Sequence, residues 1–159
     1  MFDKKKIILN HIRASKGVNQ RSNNFFLKIS SMLIDRADLT NTKKYCILEI
    51  ASRSNSLAKS LEKKKVKNIL FQTIINKNIF VDNQKIVVTN FEDRVFSENT
   101  FDFCFCILSL NNSEKVQPIF KNVYNVLKKG GKFLTILPSH SIGIKNNIIK
   151  KETVNNKIQ

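Results

Sequence analysis

Hydrophobic residues near the start of the chain recur at the spacing of an α-helix. Four of them share one helical face, at Phe25, Ile29, Met32 and Leu33. This spacing predicts an amphipathic helix that ends near Ala37, and residues 22–24 supply polar side chains for its N-cap. We therefore expect residues 1–40 to form a helical extension in front of the main domain.

Five apolar runs farther along the chain have the length of β-strands. Most of them are nearly continuous, which is typical of strands that are covered on both faces of a sheet. The predicted strands are YCILEI (Tyr45–Ile50), VKNILFQTII (Val66–Ile75), KIVVT (Lys85–Thr89), FDFCFCILSL (Phe101–Leu110) and KFLTIL (Lys132–Leu137).

Two helical patterns lie between these strands. A short helix is predicted after the first strand, with Ser54 or Asn55 as its cap and with Leu57 and Leu61 facing inward. A longer helix is predicted after a cap at Ser113. Its apolar stripe follows the 3.6-residue period, at Val116, Ile119, Phe120, Val123, Tyr124 and Leu127.

The end of the longer helix has its own signals. Lys128 and Lys129 are expected in the last turn, where cations favour the helix dipole, and Gly130 is expected to be the left-handed residue that ends the helix. Past Lys145 the sequence becomes polar. We expect residues 142–159 to form a C-terminal helix or a frayed tail.

This alternation of strands and helices predicts an α/β fold. The expected architecture is a Rossmann-like, mainly parallel sheet of about five strands with helices on both faces. The 159 residues suit one domain with its core at residues 45–138. Ligands of such sheets bind beyond the carboxyl ends of the strands, so the loops after residues 50, 75, 89 and 110 are expected to line any site.

Charge suggests a polyanionic partner, but composition explains the charge better. The net charge is +16, with 23 lysines against five arginines and with asparagine and isoleucine each present 20 times. This bias is typical of a bacterial, AT-rich genome. The one dense basic cluster, Lys59–Lys67, lacks the interleaved aromatic residues that stack on bases. We expect no nucleic-acid partner.

Neither export nor a membrane span is indicated. The longest apolar run falls short of a bilayer span, and the first residues lack an apolar core and cleavage site of signal-peptide type. A cytoplasmic protein is expected. The cysteines Cys46, Cys104 and Cys106 lie in apolar runs, which favours reduced thiols over disulfides or a metal site. Tyr45 and Tyr124 fall in core-like registers, where packing explains them.

Several motifs together resemble a known family. The segments LEIASRSNSLA, VVTNFEDRVFSENTFDFCFCILSL and NVLKKGGKFLTIL are similar to a class I S-adenosylmethionine-dependent methyltransferase of the type 11 domain. Within them, ENTFDFCFCILSLNN resembles the family's SFD pattern at the fourth strand, and LKKGGKFL resembles its LKPGG lead into the fifth. The N-terminal pieces MFDKKKIILNHIRA and FFLKISSMLIDRADL resemble the subgroup of the biotin-pathway malonyl methyltransferase and of the complex I assembly factor that is an arginine hydroxylase.

This resemblance implies S-adenosylmethionine as cofactor and a set of positions that would contact it. The set is Glu49, Ala51, Ser52, Arg53, Asn55, Ile74, Asn90, Phe91 and Leu108. In the family, glycines after the first strand let the backbone approach the cofactor's methionine end; this chain has Ala51, Arg53 and Asn55 there. No catalytic residue is implied.

Three further positions have specific roles in the family. Glu49 keeps the acid that helps to hold the cofactor's amino group, or else caps backbone amides within the protein. Ile74 stands where an acid binds the two ribose hydroxyls. Asn90 stands where an acid caps the adenine amino group. Beyond the fourth strand, Asn111 and Asn112 replace the family's His and Trp beside the substrate.

Two functions from different classes follow. The first is a methyltransferase-like protein whose activity is weakened or lost, with an unknown acceptor; the alternative is a non-catalytic respiratory complex assembly or scaffold protein. An inherited hydroxylase is a narrower option, and a dehydrogenase lacks its glycine-rich fingerprint. The family continues with two more strands beside the fifth. Without them Lys132–Leu137 would be an exposed edge strand, which predicts self-association or a protein partner there.

Overall fold

The structure, a computed structural model, describes residues 3–16, 20–79, 85–90, 92–110, 113, 115–139 and 143–150. Four helices and six strands lie within these residues. In chain order they are α1 (Lys4–Lys16), α2 (Gln20–Ala37), β1 (Tyr45–Glu49), α3 (Ser56–Lys63), β2 (Asn68–Ile74), β3 (Ile86–Val88), β4 (Phe101–Ile107), α4 (Val116–Val126), β5 (Leu127–Ser139) and β6 (Gly143–Lys150). Every predicted strand is present, and so are the helical extension and both internal helices.

The six strands form one sheet in the order β3-β2-β1-β4-β5-β6. The first five are parallel to their neighbours, and β6 is antiparallel to β5. At the end of β1, Glu49 lies in register with Gln72 on one side and with Phe105 on the other. The predicted α/β fold with a mainly parallel sheet is confirmed.

Helices cover both faces of the sheet. On one face, α2 and α3 pack on the central strands through a cluster that includes Leu33, Leu57, Ile47 and Phe105. On the other face, α4 packs through a cluster that includes Ile119, Val123, Leu48, Cys104 and Phe133. Because successive side chains of a strand point to opposite faces, strands buried on both faces read as continuous apolar runs.

The junction of α4 and β5 differs from the sequence prediction. The helix ends at Val126, so Lys128 and Lys129 lie in β5 rather than in a last helical turn. Gly130 is left-handed as predicted, with φ +76°, but it lies where the pairing of β4 with β5 changes register. Gly130 therefore belongs to a β-bulge and not to the helix end that the sequence predicts.

Two side chains of this region also differ from expectation. The N-cap of α4 is Lys115, while Ser113 accepts a hydrogen bond from the Lys115 backbone N–H at 3.3 Å. Tyr124 is 49% exposed, and so the predicted packing in the core is wrong for this tyrosine. The buried residues of α4, which pack on the core, are Ile119, Val123 and Val126.

The C-terminal part carries a strand in place of the predicted helix or frayed tail. β6 pairs along β5 from Ser139 to Lys132. The segment Lys132–Leu137 is therefore not an edge of the sheet, and the predicted association through it is wrong. An apolar strand gains by pairing its open edge, and here the chain's own β6 supplies that pairing. Residues 151–159 lie outside the described residues. Over the described part of the chain, no helix combines the length and apolar character needed to cross a membrane.

Candidate functional site

The loop after β1 keeps an unusual backbone conformation without a glycine. Ala51 has φ +50°, in the left-handed region that favours glycine. Its N–H donates to Oγ1 of Thr73 at 2.9 Å, and the Ser52 N–H donates to the Thr73 carbonyl at 2.7 Å. The end of β2 thus holds the loop in this left-handed conformation.

A second left-handed residue lies at the end of the neighbouring strand β4. Leu108 has φ +52°, and the next residue, Ser109, donates its hydroxyl to the Ala51 carbonyl at 2.9 Å. Non-glycine residues in this region are strained, and such residues concentrate at binding and catalytic sites. The strained turns of β1 and β4 meet at the carboxyl edge of the sheet, where α/β proteins bind ligands.

A buried acid lies beneath this loop. Glu49 is 2% exposed, and its Oε2 accepts a hydrogen bond from Nε2 of Gln72 at 2.7 Å. The same Nε2 lies 3.1 Å from Oγ of Ser52. Burial raises the pKa of Glu49 to about 7, against the opposing effect of hydrogen bonds with Gln72 and Ser52. The carboxyl group is therefore available in both protonation states near neutral pH.

The side chain of Arg53 bridges the two strained turns. Its Nη2 donates to the Leu108 carbonyl at 2.5 Å, and its Cζ lies 5.7 Å from the centre of the Phe26 ring of α2. Its Nε is buried and has no hydrogen-bond partner among the described residues. Burial lowers the pKa of Arg53 below its usual value. Asn55, the last predicted position of this loop, occupies the N-cap of α3 without a side-chain capping bond.

The end of β2 is apolar. Ile74 is 4% exposed and packs in a cluster with Ile79, Ile86 and Ile12, the last of which reaches it from α1. An isoleucine offers no hydrogen bond to a sugar hydroxyl. The residue that resemblance places at the ribose position is therefore a packing residue in this structure.

Asn90 lies at the mouth of a separate pocket after β3. Its N–H and its side-chain amide both donate to Oδ2 of Asp93 at 3.1 Å. The pocket includes apolar walls from Leu48, Ile50, Ile119 and Val123. It lies between the sheet, α4 and the loop after β3. Phe91, Asn111 and Asn112 lie outside the described residues.

Sequence reasoning missed three polar residues that shape this edge. Gln72 holds Glu49, Thr73 holds the Ala51 loop, and Ser109 ties that loop to β4. All three are buried. A signal was present, because each is a hydrogen-bonding residue in or directly beside an otherwise apolar strand, and buried polar groups need partners.

Comparisons with known proteins agree with this fold. The model of the methyltransferase domain matches residues 39–135. The ubiquinone/menaquinone biosynthesis C-methyltransferase UbiE of Rickettsia prowazekii is 30% identical over 107 residues, which cover 57% of this chain and 43% of that protein. The chain thus spans less than half the length of this curated relative.

Solved structures share the architecture at low identity. A Methanococcus maripaludis protein named as an S-adenosylmethionine-dependent methyltransferase superposes with a TM-score of 0.63 at 21% identity, covering 82% of this chain and 62% of that one. Phosphoethanolamine N-methyltransferase 2 of Haemonchus contortus, solved with S-adenosylmethionine, has a TM-score of 0.60 at 16% identity and covers 69% of this chain and 28% of that one. The family match spans more than half of the chain, from the end of α2 to β5. This chain therefore belongs to the methyltransferase domain family.

Proposed function

We propose that this protein is an S-adenosylmethionine-dependent methyltransferase that binds its cofactor over the carboxyl ends of β1 and β4. The observation that carries the proposal is the left-handed backbone at Ala51, which Thr73 and Ser109 hold in place by hydrogen bonds. This conformation lets the loop turn sharply over the strand ends. Its retention with alanine, at a strain cost, favours a turn that still serves a ligand.

The residues at the end of β1 fit the amino-acid part of such a cofactor. Glu49 offers a carboxyl group for an ammonium, and the buried Nε of Arg53 has no hydrogen-bond partner within the described segments. The pocket beside Asn90 has apolar walls of the kind that pack against a flat ring. The end of β2 does not fit in the same way, because Ile74 offers no hydrogen bond to the ribose.

The chemistry requires little from side chains beyond positioning. When bound, the cofactor supplies an electrophilic methyl group on its sulfonium. Transfer then depends on an in-line approach of the acceptor, so orientation contributes much of the rate and a dedicated base is not always needed. The strained turns of β1 and β4 would serve that purpose by fixing the cofactor's position relative to the acceptor.

Calorimetric titration of the purified protein with S-adenosylhomocysteine tests the proposal. We expect binding, and we expect Ser109→Ala to weaken it by about fivefold, because the lost hydrogen bond to Ala51 is worth about 1 kcal/mol. Ser97→Ala, at an exposed position, is the matched control and should leave the affinity unchanged. A folded protein that gives no binding heat at millimolar ligand would contradict the proposal.

The acceptor to assay first follows from the curated relative. Its name gives C-methylation in ubiquinone or menaquinone biosynthesis, and we propose this reaction class as the starting point. Transfer of labelled methyl groups from S-adenosylmethionine to quinone-ring acceptors measures it directly. The biotin-pathway and complex I assembly relatives suggested by the N-terminal sequence remain a prediction about subgroup.

A second candidate is a non-catalytic protein that keeps the fold and acts in assembly of a respiratory complex or as a scaffold. The observation that favours it is Ile74, which replaces a ribose contact with apolar packing against α1. This candidate predicts a folded protein that binds neither S-adenosylmethionine nor S-adenosylhomocysteine. The titration above therefore separates the two functions.

A further inference from the structure

Arg53 places a cation between three segments of the protein. It starts in the loop after β1, reaches the backbone carbonyl of Leu108 after β4, and lies against the ring of Phe26 from α2. The side chain of Arg53 therefore occupies the space between the two strained turns.

The charge of this guanidinium is poorly compensated. Among the described residues, no carboxylate oxygen lies within ion-pair distance of it, and its Nη2 donates a hydrogen bond to a neutral carbonyl, that of Leu108. Its Nε is buried, and no hydrogen-bond partner for it lies in the part of the chain that the structure describes. Buried charges and buried donors are costly unless they are paired, so the site is stabilised by an incoming anion.

The shape of a guanidinium decides which anion fits. Its N–H donors form a planar fork that matches the two oxygens of a carboxylate. Nη2 and Nε are adjacent donors on one edge of that fork. A carboxylate could bind them together if it displaces or shares the bond to Leu108, and the cover by Phe26 would strengthen the pair by excluding water.

We infer that Arg53 anchors the carboxylate at the amino-acid end of the bound ligand and so makes the site select ligands that carry an amino acid. The inference rests on the proposed function, because it assumes that a cofactor of this type binds at the β1 turn. It goes beyond the proposed function because it assigns the binding of the ligand's carboxylate to Arg53. It also predicts a difference between ligands that share the same nucleoside.

The test compares two ligands that differ at that end. S-adenosylhomocysteine and 5′-methylthioadenosine share adenosine and the sulfur atom, but 5′-methylthioadenosine has no carboxylate. We expect the parent protein to bind S-adenosylhomocysteine more tightly. Arg53→Gln should weaken S-adenosylhomocysteine by about 10- to 100-fold and leave 5′-methylthioadenosine unchanged, because only the first ligand loses a charge-assisted hydrogen bond.

Two further variants control the experiment. Arg21→Gln removes the same charge from an exposed position of α2 and should change neither affinity. Arg53→Lys keeps the positive charge but loses the planar fork, so it should weaken S-adenosylhomocysteine less than Arg53→Gln does and still spare 5′-methylthioadenosine. Thermal melting checks that each variant is folded. If Arg53→Gln does not fold, the selective loss must appear in Arg53→Lys.

The outcomes distinguish this inference from the proposed function. An equal loss for both ligands, a gain for both, or no change in either would overturn the anchor role while leaving cofactor binding in place. A gain would show that the side chain obstructs the slot. If neither the parent nor the Arg53 variants bind either ligand, the proposed function fails and the inference fails with it.

Discussion

The carboxyl ends of β1 and β2 lie side by side, yet their chemistry differs. At the end of β1, Glu49 and the Ala51 turn are held by hydrogen bonds. At the end of β2, Ile74 packs against Ile12 and Ile79 in an apolar cluster. One strand end carries a hydrogen-bonded turn above a buried acid, and its neighbour is part of an apolar cluster.

The two strand ends differ because the turn after β1 is set by its backbone and the end of β2 is set by a side chain. The shape of the β1 turn comes from its backbone and from the buried partners Thr73 and Ser109, which hold Ala51 at φ +50°. At the end of β2, by contrast, any polar contact would depend on the single side chain of Ile74, which instead lies in an apolar cluster that includes Ile12 of α1. The turn thus depends on several backbone and side-chain partners, and the end of β2 depends on one side chain.

The largest expected effect comes from restoring an acid at the end of β2. Ile74→Asp would bury a carboxylate among isoleucines, and we expect the free energy of unfolding to fall by about 3–5 kcal/mol. Urea denaturation measures the loss. Ile74→Val is the matched control and should cost about 1 kcal/mol.

An opposite result for this variant would change the comparison. If Ile74→Asp is as stable as the parent and binds S-adenosylhomocysteine more tightly, the end of β2 is open to solvent and still accepts a ribose. The two strand ends would then differ in one side chain and share their environment. Measuring stability and affinity on the same preparation separates these cases.

The second prediction concerns the acid at the end of β1 and its dependence on pH. The pKa of Glu49 is about 7 when folded, against an ordinary value of 4.5. Between these values the folded protein keeps a proton that the unfolded chain releases. Stability therefore falls as the pH rises through this window, by about 3 kcal/mol in total.

Glu49→Gln isolates this effect because its amide does not titrate. Relative to the variant, the parent should lose about 3 kcal/mol between pH 4.5 and pH 7.5 in urea denaturation at stepped pH values. Glu62→Gln, at an exposed position of α3, should leave the parent's pH profile unchanged. Parallel profiles for the parent and Glu49→Gln would show that the carboxyl group is not buried as described.

The smallest effect is expected at the turn itself. Ala51→Gly removes the strain of a left-handed alanine, which is about 1–2 kcal/mol. Part of this gain is offset because glycine loses more conformational entropy on folding than alanine does. We expect the free energy of unfolding to rise by about 0.5–1 kcal/mol in chemical denaturation. Ala58→Gly inside α3 should instead lower it by about 1 kcal/mol. A loss of stability in Ala51→Gly would show that the methyl group contributes packing that exceeds the strain.

Much of the fold could be predicted from the sequence. The strand β1 is predicted within one residue and α2 ends where its apolar pattern ends, at Ala37. These elements have strong periodicity or continuous apolar runs, so local signals decide them. The junction at Gly130 and the strand β6 could not be predicted, because a bulge and an antiparallel pairing depend on a partner strand that the local pattern does not contain.

The candidate site divides in the same way. The sequence by itself determined where the strands end, and so which loops face the carboxyl edge; it also carried the family motifs from LEIASRSNSLA onward. Only the tertiary structure decided that Ala51 adopts a left-handed backbone, that Gln72 holds Glu49, and that Ile74 is covered by α1. The physical reason is distance along the chain. Apolar periodicity acts between near neighbours, whereas these contacts join residues more than 20 positions apart, whose meeting depends on how the strands are ordered in the sheet.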